Sequence, residues 1–306
     1  MFQAITTNKT KTAAIVTGIF LFFAAIIFAI SFYFFELGTF AIVFALIVSF
    51  LLSFGAYWNS HKIVLAIHKA RPATPEQDAK LHNILEGLCI ASGLHKPKLY
   101  VMEDSALNAF ATGRNPNNAV ICVTTGLLNQ LDYYQLEGVV AHELAHIKNY
   151  DVLLQTVAGI MIGAALIASR FATRTMFWGG GGRSRSRSSG GGSSGGGYVQ
   201  LVIMAVGLIF VILAPIAGQL LKMALSRNRE YLADATAAQF TRNPEALASA
   251  LEAINRSSMP LRNASNATEG MYIATPCPEL RGKKKANPFS THPPIEKRVE
   301  ALRSLR

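Results

Sequence analysis

Charge is what this chain is short of. Only 15% of its 306 residues are Asp, Glu, Lys or Arg, against 51% that are hydrophobic. A soluble domain is nearer a quarter charged, so membrane segments are the first structures to look for. Acidic residues are the scarcer kind, 18 against 29 basic, which leaves a net charge of +11. Such an excess marks nucleic-acid binding or the cytoplasmic loops of a membrane protein, and the apolar runs below favour the second. Cysteine is also scarce. Cys89, Cys122 and Cys277 cannot all pair and none lies in a CxxC, so the sequence suggests neither a disulfide framework nor a thiolate zinc site. Reduced, buried thiols are expected. No internal repeat is present.

What the chain does have is long uncharged runs. Ala13 to Phe35 is 23 residues without a charge and Leu37 to Trp58 is 22 more, with Glu36 between them. A crossing needs roughly 20 apolar residues, so these two predict a membrane hairpin. The first run is longer than the roughly 7–15 residues of a signal-peptide core. Val152 to Ser169 is a third run of 18 and Tyr198 to Leu221 a fourth of 24. Buried helices of a soluble core are the alternative for this pair. Between them, residues 179–197 hold ten Gly, six Ser and three Arg, a tether that cannot bury a core. Three arginines among serines are a thin basis for RNA binding, and no nucleic-acid partner is expected.

Two polar blocks remain. In the first, Thr74-Pro75-Glu76-Gln77 predicts a helix start with a capping box, and Leu81, Ile84, Leu85 and Leu88 follow at helical spacing. Lys98 to Met102 and Ala119 to Val123 predict short strands, and Asp132 to Asn149 a helix. In the second block Ser226 opens a helix through Phe240, Asn243-Pro244 opens another, and Pro294 a last one.

The helix after Asp132 carries His142-Glu143-Leu144-Ala145-His146. Residues four apart share a helical face, so both imidazoles can hold one zinc ion. Glu143, about 100° round the helix, can reach the attacking water without binding the metal, take its proton and pass it to the leaving amine. The apolar neighbours Leu136, Val139, Val140, Leu144 and Ile147 make the helix a buried one, against the plainer reading of two solvated surface histidines. Catalytic zinc takes three protein ligands. The third histidine of an HExxHxxGxxH pattern is absent, since Val152 stands there. Glu230 and Asp234, one turn apart in Ser226–Asp234, are the acidic candidates. Glu230 can ligate while Asp234 accepts the outer N–H of a ligating histidine. A surface charge mesh with Arg227 and Arg229 explains the spacing equally well.

The segments NAFATG (108–113), HELAHIKNYD (142–151), SRNREYLADATAA (226–238) and STHPPIEKRVEAL (290–302), with the apolar hairpins around them, closely resemble the HtpX heat-shock family of membrane metallopeptidases, relatives of the CAAX prenyl protease. The resemblance covers nearly the whole chain. It implies one zinc per chain on His142, His146 and Glu230, Glu143 as base and Asp234 behind a ligand. It also implies a cytoplasm-facing site in a bacterial inner (plasma) membrane, and endopeptidase action on polypeptides, chiefly misfolded membrane proteins. His292 resembles a family histidine beside the substrate carbonyl, able to stabilise an oxyanion. Asn108 and Phe110 fall where a substrate can pair as an added strand, and Arg298 is expected to accompany His292 as a substrate contact. Turn, core and capping roles are the alternatives for these residues, and Asp151 is expected to be structural.

The expected fold is an α-helical membrane protein with an α+β, zincin-like (gluzincin) metallopeptidase domain, mostly α with a small sheet. Residues 1–58 form the first transmembrane hairpin, 59–151 the first part of the peptidase domain, 152–221 the second hairpin and 222–306 the rest of the domain. Lys9 and Lys11 before the first hairpin, and Lys62, Lys69 and Arg71 after it, put both its ends in the cytoplasm. Two runs between His146 and Glu230 return the chain to that side of the bilayer. The rival functions are a prenyl-peptide processing protease and a non-catalytic membrane scaffold or chaperone. A structural site would have no use for Glu143.

Overall fold

The computed structural model describes residues 39–156, 227–262, 269–274 and 292–305, with scattered positions between 6 and 28. The chain divides into two units. One holds Met1–Thr12, Trp58–Ile160 and Leu221–Arg306, the other Ala13–Tyr57 and Met161–Leu220. The apolar runs 13–35, 152–169 and 198–221 and the 179–197 tether lie wholly or largely outside the described residues. The run 37–58 enters them as the start of helix α1, Phe40–Ile67, where Phe40, Ile42, Phe44, Ile47 and Phe50 are exposed. No uninterrupted stretch of fully described helix is long and apolar enough to cross a membrane.

Among its described residues, the unit that contains the motif is mostly helical with one small mixed sheet. Strand β1 is Arg71–Pro72, β2 Lys98–Met102, β3 Ala109–Gly113 and β4 Ala119–Thr124, in the order β1-β2-β4-β3. β2 runs parallel to β4, with Leu99 opposite Ile121, and β3 runs antiparallel to β4, with Phe110 opposite Cys122. All six residues of β4 are buried, which is why it reads as an almost unbroken apolar run, as central strands do. Pro72 cannot donate to a ladder and sits on an edge strand.

Helix α2, Ala79–Ser92, begins later than the sequence predicts. Asp78 Oδ2 accepts the Thr74 N–H at 3.2 Å and the Arg71 guanidinium at 2.8 Å. Residues 74–78 thereby close on themselves as a separate turn. The helix buries Leu81, Ile84, Leu85 and Leu88 and ends on Gly93 at φ 69°, where glycine carries no steric penalty. Helix α3 is Thr125–Gln130, α4 Tyr133–Lys148, α5 Arg227–Thr241, α6 Pro244–Arg256 and α7 Ile295–Arg303.

α4 starts on a capping box. The Asp132 side chain accepts from Gln135 N, and the Gln135 side chain accepts from Asp132 N. From Gly138 to Ile147 every residue of α4 is buried, so this helix is the axis of the core. Its close approach to α6 depends on Gly138, where an added Cβ would stand 2.7 Å from Leu247 N. α5 brings Ala233 and Ala237 against the same core. Small side chains there let α5 lie close to α4, and with it the two acidic residues of the ExxxD pair.

Candidate metal centre

α4 presents His142 and His146 on one face, fully enclosed, with Nε2 atoms 3.1 Å apart. α5 brings Glu230 onto them. Its Oε1 lies 3.5 Å from His146 Nε2 and its Oε2 lies 3.9 Å from His142 Nε2. One ligand atom from each of the three falls within 4.8 Å of the others, and no other such group occurs among the described residues. Bonds of about 2.0–2.1 Å in a tetrahedral site give edges near 3.3 Å, so the three separations fit a single small cation.

The outer nitrogens settle which way the rings point. His142 Nδ1 donates to Asp234 Oδ1 at 2.9 Å, and His146 Nδ1 to Asp151 Oδ2 at 3.1 Å. With both Nδ1 atoms so committed, the two Nε2 atoms face each other at 3.1 Å, a spacing that a proton on His146 bridges in the metal-free site and that a shared cation can take over. Charge agrees with geometry. Glu143, Asp151, Glu230 and Asp234 are four buried carboxylates, accompanied by two guanidinium groups, Arg229 and Arg298. With all four ionised and the imidazoles neutral, as metal binding requires, the excess is two negative charges, which a divalent ion cancels, and buried charge without a counter-charge is costly.

Arg298, completely buried, lies beneath the carboxylates. Its Nε and Nη2 bond both oxygens of Asp234 at 2.9 and 2.7 Å, and its Nη1 reaches the Ile273 carbonyl at 2.8 Å and Glu230 Oε2 at 3.3 Å. The sequence suggests Arg298 as a substrate contact, whereas its donors are engaged by the protein's own groups. Against the cost of burial, Arg298 and His142 hold Asp234 below the ordinary carboxylate range, and His292, Arg298 and His146 do the same for Glu230. His292 Nδ1 stands 3.1 Å from Glu230 Oε2, so the structure brings this histidine to the site's edge.

Glu143 differs from the other acids. Burial pushes its carboxyl up, and the Glu230 charge adds to the shift against the pull of His146 and Arg298, leaving it at about 7. Its Oε1 has no hydrogen-bond partner among the described residues, while the carboxylate receives the backbone N–H of Ala111 on β3. A buried glutamate outside the ligand set, poised near neutrality, is what a general base requires.

Asn108 and Phe110 are also brought near, but as packed residues. The Asn108 amide donates to the Ala274 carbonyl at 3.1 Å, and both residues are wholly buried. Phe110 packs edge-on against Tyr272 and tilted against His68. The chain's own residues 272 and 273 lie along the outer edge of β3, where Ile273 N donates to Ala109 O at 3.0 Å. Substrate contact is expected of Asn108 and Phe110 from sequence. Their side chains are held within the fold. The contact of Asp151 with His146 is the feature sequence reasoning missed. Its spacing, five residues beyond the second histidine, is the one available signal.

Two histidines on a helix, an acidic residue from a second helix that could complete a metal site with them, and a glutamate between the histidines are the arrangement of a metalloprotease. The chain belongs to peptidase family M48, whose family model matches residues 75–306. It is 44% identical to the Protease HtpX homolog of Dictyoglomus thermophilum over 99% of this chain and 94% of that protein. With the Protease HtpX homolog of Listeria monocytogenes serotype 4b it shares 41% identity over the whole of both chains. A solved structure, S. mikatae Ste24p, is similar over 99% of this chain and 67% of that one, at 19% identity and a TM-score of 0.48.

Proposed function

We propose that this chain is a membrane-embedded zinc endopeptidase that cleaves misfolded or damaged membrane proteins from the cytoplasmic side of a bacterial plasma membrane. The observation that carries this reading is the convergence of His142, His146 and Glu230 beside a Glu143 that binds none of them. Two imidazoles and one carboxylate in a compact set favour zinc among the divalent ions. A bound zinc supplies Lewis acidity, which polarises the scissile carbonyl and makes water acidic near neutral pH. Glu143 takes the proton of the attacking water and returns it to the leaving nitrogen. His292, beside Glu230 at 3.1 Å, donates in this reading to the oxyanion that forms on the substrate carbonyl. Asp234 holds the His142 ring with Nε2 forward, and Arg298 fixes Asp234 in turn.

The membrane assignment rests on the four uncharged runs, the exposed apolar residues of α1 and the HtpX-named relatives. His146 lies six positions before the start of the third run and Glu230 eight after Lys222. At 1.5 Å per helical residue, both ligands fall within roughly 15 Å of the bilayer edge. Tails and loops of neighbouring membrane proteins are concentrated there, and an extended peptide is needed for its carbonyl to reach the metal. The test is purification in detergent, metal analysis, and cleavage of an unfolded polypeptide before and after chelation. About one zinc per chain, with activity lost to chelator and restored by zinc, supports the proposal. Full activity in metal-free protein contradicts it.

A further inference from the structure

The two ligating histidines are backed by two similar sets of side chains. Behind His142 stand Asp234 and then Arg298. Behind His146 stand Asp151, 1% exposed and 3.1 Å from Nδ1, and then Arg229, whose Nη1 is 3.6 Å from the other Asp151 oxygen. Arg229 immediately precedes Glu230 on α5, so Asp151 connects the second histidine to the helix that carries the third candidate ligand.

The backbone is strained where it delivers Asp151. α4 ends at Lys148, Asn149 N–H returns to Ala145 O, and Tyr150 takes φ 60° before the chain turns helical again at residue 151. A left-handed conformation at an aromatic residue is disfavoured and persists where its surroundings over-determine it. Here it folds the chain back so that Asp151 meets the ring five residues before it. A helix continued through 149–151 would carry position 151 on to a different face, about 140° round from His146.

We propose that Asp151 is a positioning residue of the metal site, fixing the His146 ring with Nε2 toward the ion. We further propose that its contact with Arg229 ties together, at that ligand, the two ends of the chain segment between them. In sequence Asp151 immediately precedes the third apolar run, and Arg229 follows the fourth by seven residues beyond Lys222. Any change that parts these two ends therefore loosens His146. The inference rests on the metal reading above.

Full-length protein in detergent, in a Glu143→Gln background that prevents self-cleavage, is titrated with zinc against a competing chromophoric chelator. Its cobalt(II) form is read by visible absorption. Partners behind a metal ligand typically change affinity about 10–100-fold. Asp151→Ala is expected to weaken zinc by that factor and to shift the cobalt bands. Asp151→Asn, which keeps an acceptor of the same shape, should weaken it less, and Arg229→Ala less than Asp151→Ala. Tyr150→Gly, free to adopt φ 60°, should retain wild-type affinity. If Asp151→Ala does not fold, Asp151→Asn decides. Unchanged zinc affinity and cobalt bands in a folded Asp151 variant overturn the inference, even where thermal stability falls, because that pattern marks a purely structural residue. A parent protein that binds no zinc overturns the metal reading instead.

Discussion

Arg298 grips Asp234 through two nitrogens, at 2.7 and 2.9 Å, and the same Asp234 oxygen that takes the shorter bond also lies 2.9 Å from His142 Nδ1. One carboxylate thus serves an arginine and an imidazole together. Removing the arginine leaves Asp234 and Glu230 buried with less counter-charge, and breaking such a pair costs about 3–5 kcal/mol. Arg298→Ala is therefore expected to destabilise the protein by that amount. Arg298→Lys should recover only part, because an ammonium cannot bond both oxygens in the same plane. Chemical denaturation of the metal-free forms checks this, and a loss below about 1 kcal/mol for Arg298→Ala contradicts it.

Glu230 and Asp234 have different tasks, and metal affinity separates them. Glu230 approaches both Nε2 atoms, while of the two histidines Asp234 touches His142 alone, at its outer nitrogen. Glu230→Ala is expected to weaken zinc by more than Asp234→Ala, whose effect should stay near 10–100-fold. Zinc titration of the two variants tests the ranking. The reverse order would mean that their roles are exchanged.

Metal binding should release a proton. In the metal-free site burial disfavours the His146 imidazolium, but the Asp151 hydrogen bond and the charges of Glu230, Asp151 and Glu143 outweigh it and raise the ring to about 9. A folded value above the unfolded one, about 6.5, means that the ring adds stability below pH 6.5 and loses that contribution as pH rises through about 9. Zinc must displace this proton. Affinity is expected to climb from neutral pH to about 9 and then level. Calorimetry at pH 8 in buffers of different ionisation enthalpy should show release of about one proton. Zinc binding with no proton release, or with affinity falling over that interval, counts against the assignment of His146.

If the site lies near the bilayer edge, location should select substrates. One cleavable unfolded sequence, presented either tethered to a membrane helix or free in solution, is offered to protease reconstituted in liposomes. The tethered form is expected to be cut faster at matched bulk concentration. Equal rates would show that nearness to the membrane does not choose the substrate.

Much of the centre was legible in the sequence, for identifiable reasons. α4 announces itself through the Asp132–Gln135 capping box, the apolar face and the HExxH spacing, all of which are local. The ExxxD pair was ambiguous alone, because the same spacing serves a surface charge mesh. Its burial against α4 depends on Ala233 and Ala237, which allow the close approach. β3 was missed as a strand. Ala109, Ala111 and Gly113 lack the branched side chains that mark strands, and pairing with β4 and burial on both faces supply what propensity does not. The partners of Arg298 and Asp151 were hidden for other reasons. Asp234 lies 64 residues before Arg298 in the chain, and the turn that returns Asp151 to His146 needs a left-handed tyrosine that no local preference predicts.

The central claim is that Glu143 is a base standing beside a metal it does not bind, and the Glu143→Gln variant measures that directly. Glutamine preserves the shape of the side chain and leaves His142, His146 and Glu230 untouched, but it cannot accept the proton. Zinc content and cleavage of an unfolded substrate are read on the same preparation, with wild type beside it. The account predicts about one zinc per chain in both proteins and cleavage in the wild type alone. Full cleavage by a zinc-loaded Glu143→Gln protein would contradict it.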